Sequence, residues 1–175
     1  MPHTPAAGSA FPEITLPLLG GGQRTLGKPT ENRDWTLVVV YRGAHCPLCT
    51  RYLKQLDTLL DAFHAEGIDV VAVSGDSAEQ AKGQMEEVKP RFPVAHGLSV
   101  AQMNTLGLYV SDPRSPQETD HPFAEPGLFV VNGGGNIHIA DISNAPFSRP
   151  DLQALLGGLQ FIRGNDYPIR GTHAA

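Results

Sequence analysis

Two long apolar runs along the chain predict buried β-strands with a helix between them. Thr36–Tyr41 and Ile68–Val73 are rich in β-branched residues, which is typical of strands covered on both faces. Between them, apolar residues recur at helical spacing from position 52 to position 63. Gly67 follows this segment and suits the C-terminal cap of a helix. The order therefore predicts a β–α–β unit.

Capping residues predict two further helices after this unit. Ser77 with Gln80, and Ser99 with Gln102, have the spacing of capping boxes, in which two side chains satisfy free N–H groups at a helix start. The first box predicts a helix over Ala78–Val88, before a proline. The second predicts a short helix that ends near residue 107.

The remaining pattern predicts strands near both ends of the chain and a closing helix. Pro17 marks the first strand as an edge strand, because proline cannot donate a ladder hydrogen bond. Residues 111–126 are rich in proline and charge and predict a long exposed loop. The other predicted elements are strands at Glu13–Leu19, Val94–Leu98, Leu128–Val131 and Asn136–Ile142, and a helix at Pro150–Leu159 with Ser148 as its N-cap.

Strands that alternate with helices predict an α/β fold, and the terminal strand pair adds an antiparallel part to the sheet. We therefore expect a central mixed sheet flanked by helices. A chain of 175 residues suits one domain, 1–175, with residues 163–175 as a C-terminal tail. The tail could pack on its own domain or across a homodimer, and the sequence does not decide between them.

The composition excludes several classes of protein. Hydrophobic residues make up 41% and charged residues 18% of the chain, which excludes intrinsic disorder. The net charge of −5 gives no basic field for nucleic acid or for an anionic membrane. Because the sequence has no long apolar run and no pattern of a signal peptide, we expect a cytoplasmic location.

The two cysteines, Cys46 and Cys49, are separated by two residues. Two cysteines cannot form a tetrahedral zinc site, and the histidines show no ligand spacing, so we expect no metal and no cofactor. A disulfide that closes so short a loop adds little stability. Redox chemistry is therefore the leading explanation, and a CxxC at the first strand–helix junction of a β–α–β unit is typical of the thioredoxin-like fold.

The spacing places Cys46 at or near the N-cap of the helix and Cys49 one turn further in. Free N–H groups and the helix dipole favour a thiolate at the N-cap, which lowers the thiol pKa. Arg42, His45 and Arg51 are the nearest cationic or titratable groups and could stabilise that thiolate. We expect Cys46 to be the attacking thiol and Cys49 the resolving thiol.

The segment RGAHCPLC, residues 42–49, resembles the Arg-Gly-x-x-Cys-Pro-x-Cys segment of peroxiredoxin-like proteins in the alkyl hydroperoxide reductase and thiol-specific antioxidant family. The segment PGLFVVNGGGNIHIADI resembles the later strand–turn–strand of that family. The resemblance spans roughly residues 10–160. It implies a thioredoxin-like fold with a peroxiredoxin-type N-terminal extension.

The chain departs from the family pattern at three positions. Val39 and Gly43 stand where peroxiredoxins carry a proline and a hydroxyl residue that orients the peroxide. Pro126 stands where they carry an active-site arginine, and it matches instead the cis-proline of thioredoxins. The resemblance therefore implies that Gly43 and Pro126 belong to loops next to the substrate, with Arg42 as a partial replacement for the lost cation.

Three functions are open at this point. The first is the reduction of hydroperoxides through a Cys46 sulfenic acid, which Cys49 traps as an intramolecular disulfide that a thioredoxin- or glutaredoxin-type donor then reduces. The second is thiol–disulfide exchange with protein disulfides, favoured by the CxxC and by Pro126. The third is a redox sensor whose disulfide changes a partner-binding surface.

Overall fold

A five-stranded mixed sheet forms the centre of the part of the chain that the computed structural model describes, residues 4–30 and 32–174. Along the sheet the strands run β5 (Val94–Ala95), β4 (Ile68–Val73), β3 (Trp35–Val40), β8 (Gly127–Val131) and β9 (Ile137–Ile142). β3, β4 and β5 are parallel, whereas β8 and β9 pair antiparallel. The predicted α/β fold with a mixed sheet is confirmed.

The helices lie between and after these strands. They are α1 (Pro47–Thr58), α2 (Leu60–Ala65), α3 (Ala78–Val88), α4 (Val100–Thr105) and α5 (Leu152–Asn165). Both predicted capping boxes are confirmed, because Ser77 and Ser99 each accept a backbone N–H from the third helical residue. The single helix predicted from position 52 to 63 is divided at Leu59, which caps the end of α1 and the start of α2.

The N-terminal segment adds a small hairpin at the edge of the sheet. β1 (Thr15–Pro17) and β2 (Gln23–Thr25) pair antiparallel, and Leu18 forms a bridge with Ala95 of β5. The predicted strand at 13–19 is therefore real but shorter. Pro17 is accommodated at the end of β1 in this two-stranded hairpin, where its carbonyl oxygen accepts the N–H of His96 at 3.2 Å.

The two faces of the sheet bury two apolar clusters. Leu37 and Val39 of β3 point into a cluster with α1, α2 and α5. The alternate residues Val38 and Val40 point into the other cluster, which includes residues of the N-terminal hairpin and of α4. All four side chains are buried, as expected for a strand with a period of two that is covered on both faces.

Two sequence predictions for the second half of the chain need correction, and the first concerns the loop. The predicted exposed loop 111–126 begins and ends in a short antiparallel pair, β6 (Val110–Ser111) and β7 (Phe123–Ala124), and residues 123–126 are buried. The pair forms because Phe123 packs inward instead of into solvent.

The closing helix also differs from its predicted limits. Asp151, not Ser148, is the N-cap of α5, because its carboxylate accepts the N–H of Ala154 at 2.8 Å. The helix continues to Asn165, into the predicted tail, because Arg163 forms two hydrogen bonds with Asp34 and so fixes the last turn.

Candidate active site

Cys46 is the N-cap residue of α1, as the sequence predicts. Its backbone is extended, with φ −113° and ψ 100°, and its sulfur accepts the backbone N–H of Cys49 at 3.2 Å. Its own N–H bonds to the Gly43 carbonyl oxygen at 3.2 Å. Pro47 follows at the first helical position, where a missing N–H costs nothing. The sulfur therefore occupies the positive end of the helix dipole.

The two cysteine sulfurs are in direct contact. Both thiols are free and buried, and the Cys49 thiol donates to the Cys46 sulfur at 2.6 Å. This donated hydrogen bond is the main reason that the pKa of Cys46 falls to about 5. The Cys49 N–H, Arg42 and Arg149 also lower the pKa, whereas burial raises it. Burial and the bond to Cys46 raise the pKa of Cys49. At neutral pH the pair is one thiolate and one thiol.

Arg42 links the Cys46 sulfur to a buried carboxylate. Its side chain hydrogen-bonds Cys46, and its Nε lies 2.9 Å from Glu125 Oε2. The guanidinium also stacks on the Phe123 ring, 4.9 Å from the ring centroid. The second Glu125 oxygen accepts the Ser111 hydroxyl at 2.8 Å. The β6–β7 pair and Glu125, the residue after β7, therefore supply the groups that orient Arg42.

A second arginine, Arg149, reaches the sulfurs from the segment between β9 and α5. Its Nη2 lies 3.0 Å from the Cys49 sulfur and 3.8 Å from the Cys46 sulfur. Sequence reasoning missed this residue, because about a hundred residues separate it from the cysteines. The sequence holds no local motif around it that could have indicated the contact. Arg51, which the sequence did indicate, is exposed on α1.

His45 is half-buried and packs against Phe123, with 4.4 Å between ring centroids. Burial, followed by the charge of Arg42, lowers the pKa of His45. The imidazole is therefore neutral at pH 7. Both ring nitrogens are buried without a hydrogen-bond partner among the described residues, so His45 packs beside the site and adds no positive charge next to the thiolate.

Gly43 shapes the loop that leads to the reactive sulfur. Its φ of +142° is one that residues with a Cβ rarely adopt, and a Cβ built there would lie 2.7 Å from Asp76 Oδ1. Asp76 is buried and accepts the N–H of Ala44 at 2.7 Å and a bond from His121 at 3.0 Å. Gln84 also donates to the Gly43 carbonyl, at 3.1 Å.

Pro126 does not share the cis peptide bond of the thioredoxin proline that its position resembles. Within the described residues every peptide bond is trans. Glu125, whose N–H bonds to the Tyr109 carbonyl at 2.8 Å, leads through this trans bond into β8. Pro126 lines a small cavity together with Tyr52 and Arg149.

Two open grooves flank the cysteines. One, of about 460 Å³, is lined by Leu48, Tyr52, Phe147 and Arg149, among others. The other, of about 540 Å³, lies beside His45 and is lined otherwise by residues of the 111–126 segment. In the described part of the chain, no three His, Cys, Asp or Glu side chains are grouped so as to hold a metal ion. No helix among these residues is long and apolar enough to cross a membrane.

Comparisons with known proteins agree on one family. The family model described as the AhpC/TSA family matches residues 7–140. A probable 1-Cys peroxiredoxin of Syntrichia ruralis is 22% identical over 102 residues, which are 55% of this chain and 47% of that protein. The chain therefore matches about half the length of this curated relative.

Solved peroxiredoxins share the fold at low sequence identity. A mutant of peroxiredoxin 6 from Arenicola marina matches with a TM-score of 0.78 and 17% identity, over 93% of this chain and 75% of that one. AhpC from Mycobacterium tuberculosis gives 0.74 and 16% identity, over 94% and 96% of the two chains. A peroxiredoxin-like protein from Aquifex aeolicus matches with a TM-score of 0.74 and 14% identity, over 91% of this chain and 89% of that one. The thioredoxin-like fold of the peroxiredoxins is confirmed.

Proposed function

Because the chain belongs to the AhpC/TSA family, we propose that it is a thiol peroxidase that reduces hydroperoxides with Cys46 as the attacking sulfur. The observation that carries this proposal is the state of Cys46, a helix N-cap thiol with a pKa lowered to about 5. A thiolate is the reactive form of cysteine toward peroxides, and this one is fully ionised at neutral pH.

In the first step, the Cys46 thiolate attacks the terminal oxygen of the hydroperoxide. The O–O bond breaks, Cys46 becomes a sulfenic acid, and the departing alkoxide or hydroxide takes up a proton and leaves as alcohol or water. Arg42, hydrogen-bonded to Cys46, stabilises the thiolate and the negative charge on the departing oxygen. The departing oxygen takes its proton from solvent, because both ring nitrogens of His45 are buried and make no hydrogen bond within the described part of the chain.

In the second step, Cys49 attacks the Cys46 sulfenic acid and water leaves, which gives an intramolecular disulfide. The two sulfurs are already 2.6 Å apart in the reduced protein, so this step needs no unfolding of α1. A dithiol donor of the thioredoxin or glutaredoxin type then reduces the disulfide by exchange.

Two observations support the peroxidase over a disulfide reductase. Both cysteines are buried, with 1% and 0% of their surface exposed, which suits a small peroxide as the oxidant; exchange with another protein, as substrate or as donor, requires the site to open first. The peptide bond before Pro126 is trans, so the likeness to a thioredoxin cis-proline no longer favours a disulfide reductase.

The test mixes reduced protein with near-stoichiometric hydrogen peroxide or an organic hydroperoxide and follows thiol loss by stopped flow. We expect rapid oxidation that Cys46→Ser abolishes, while Cys49→Ser stops at the sulfenic acid. Oxidation no faster than that of an ordinary free thiol would overturn the proposal. Reduction of insulin disulfides by the same preparations would then favour the disulfide reductase.

A further inference from the structure

We propose that Arg149 is a catalytic residue of the resolving step, in which it stabilises Cys49 as the attacking thiolate, while Arg42 serves the peroxide step. This assignment rests on the proposed roles of the two cysteines. It divides the two arginines at the site between the two sulfurs, and therefore between the two chemical steps.

The distances support this division. The Arg149 guanidinium is in hydrogen-bond contact with the Cys49 sulfur at 3.0 Å, and it lies further from Cys46, at 3.8 Å. Arg42 instead hydrogen-bonds Cys46 and is held by Glu125. Since the attraction between charges falls with distance and is strong where water is excluded, Arg149 acts most on the nearer sulfur.

The resolving step needs such a cation. Cys49 is fully buried, and burial opposes its ionisation. In the reduced protein its proton is shared with the Cys46 thiolate. Once Cys46 carries a hydroxyl, that negative charge is gone and Arg149 faces a single ionisable thiol. The Cys49 proton then passes to the departing hydroxyl, which leaves as water as the S–S bond forms.

The guanidinium is held in place before the reaction. Its Nε donates to the Pro146 carbonyl at 3.0 Å, and its Cζ lies 5.0 Å from the centre of the Tyr52 ring. Tyr52 and Cys49 are three residues apart on α1, so they lie on one side of the helix. The Tyr52 hydroxyl fixes the same segment by donating to Pro150 at 2.7 Å.

The test separates the two steps in Arg149→Met and Arg149→Lys. Stopped flow gives the rate of peroxide oxidation, and trapping of sulfenic acid with dimedone gives the rate of its conversion to disulfide. We expect Arg149→Met to slow conversion by roughly tenfold or more, the effect of about one unit in the pKa of Cys49, and to slow oxidation much less. The lysine, which keeps the charge, restores part of the conversion rate.

Arg163→Met is the matched control. Arg163 also stacks on an aromatic ring, that of Trp35, and forms two hydrogen bonds with Asp34. It shares the structural features of Arg149 without contact to either sulfur, so its loss should leave both rates at the wild-type level. If Arg149→Met slows oxidation as much as conversion, or leaves conversion unchanged, the assignment is overturned.

A second reaction tests Arg149 without peroxide. Methyl methanethiosulfonate transfers a methylthio group to the Cys46 thiolate and releases methanesulfinate, and Cys49 then expels methanethiolate to form the disulfide. Mass spectrometry follows both species. Slower expulsion in Arg149→Met, with wild-type expulsion in Arg163→Met, supports the assignment even if the peroxidase proposal fails; equal expulsion in all three proteins overturns it.

Discussion

The carboxylate of Asp76 accepts the backbone N–H of Ala44 at 2.7 Å, two residues before the reactive thiol. Asp76 follows β4 and is 1% exposed, so it fixes the loop between β3 and α1 from inside the protein. His121 bonds to the other carboxylate oxygen at 3.0 Å and so connects the 111–126 segment to the same point.

We expect Asp76→Ala to raise the pKa of Cys46, because the loop no longer holds the thiol at the start of α1, and to destabilise the protein by about 1–3 kcal/mol, because the part-buried Ala44 N–H loses its acceptor. Thiolate absorbance against pH and urea unfolding measure the two effects. Asp76→Asn keeps one acceptor oxygen and should have a smaller effect on both. An Asp76→Ala protein with the wild-type pKa of Cys46 would show that the carboxylate does not position the thiol.

Gly43→Ala should destabilise the protein by on the order of 1–3 kcal/mol, because of its φ of +142° and the contact of 2.7 Å with Asp76. Gly43→Thr should not increase the rate of peroxide oxidation, although it restores the hydroxyl that peroxiredoxins carry at this position. Gly158→Ala is the matched control, since this glycine lies in α5 with open space around it and alanine favours helix there. A faster Gly43→Thr protein would contradict the strained geometry of the loop.

The rate of peroxide oxidation should depend on pH through Cys46 alone. With a pKa of about 5, the thiolate is roughly nine-tenths formed at pH 6 and nearly complete from pH 7 to 8, and the rate should fall about tenfold per unit below pH 5.

Cys49→Ala should move this midpoint upward, because it removes the main hydrogen bond to the thiolate. Cys49→Ser keeps a hydroxyl donor and should move it less. If the midpoint of the wild-type protein lies above pH 7, the site does not stabilise the thiolate in the way that the contacts indicate.

Excess peroxide should give the Cys46–Cys49 disulfide and little sulfinic acid. The resolving sulfur lies 2.6 Å from Cys46, so the sulfenic acid is trapped before a second peroxide reacts. Mass spectrometry after a series of peroxide additions tests this, and Cys49→Ala should accumulate sulfinic acid at the same additions. Equal amounts of sulfinic acid in the two proteins would refute rapid trapping.

Local patterns in the sequence correctly predict the position of Cys46 at the start of α1. The N-cap position of Cys46 follows from a strand, a short loop and helical spacing, all within about thirty residues. The capping boxes at Ser77 and Ser99 are equally local, and both form as predicted. These features depend on neighbouring residues, so they can be read from one short segment of sequence.

Contacts between distant segments account for what the sequence missed. Arg149 is about a hundred residues from the cysteines and meets them only because β9 and α5 return the chain to α1. In the sequence, Asp76 is one polar residue after a strand, with no feature that sets it apart. Only the packing of its loop against Gly43 shows that it fixes the loop before Cys46. Tertiary contact likewise extends α5 beyond its predicted end, through Arg163 and Asp34.

The Cys46 sulfur, the attacking atom of the proposed reaction, is also the cap of α1, since it accepts the Cys49 N–H. Every oxidation therefore removes the negative charge that the helix terminus stabilises, and every reduction restores it. Such selective stabilisation of the reduced state shifts the equilibrium of the dithiol–disulfide couple toward the dithiol and makes its reduction potential less negative. The architecture of α1 thus favours return to the dithiol form, even when the reductant is a weak one.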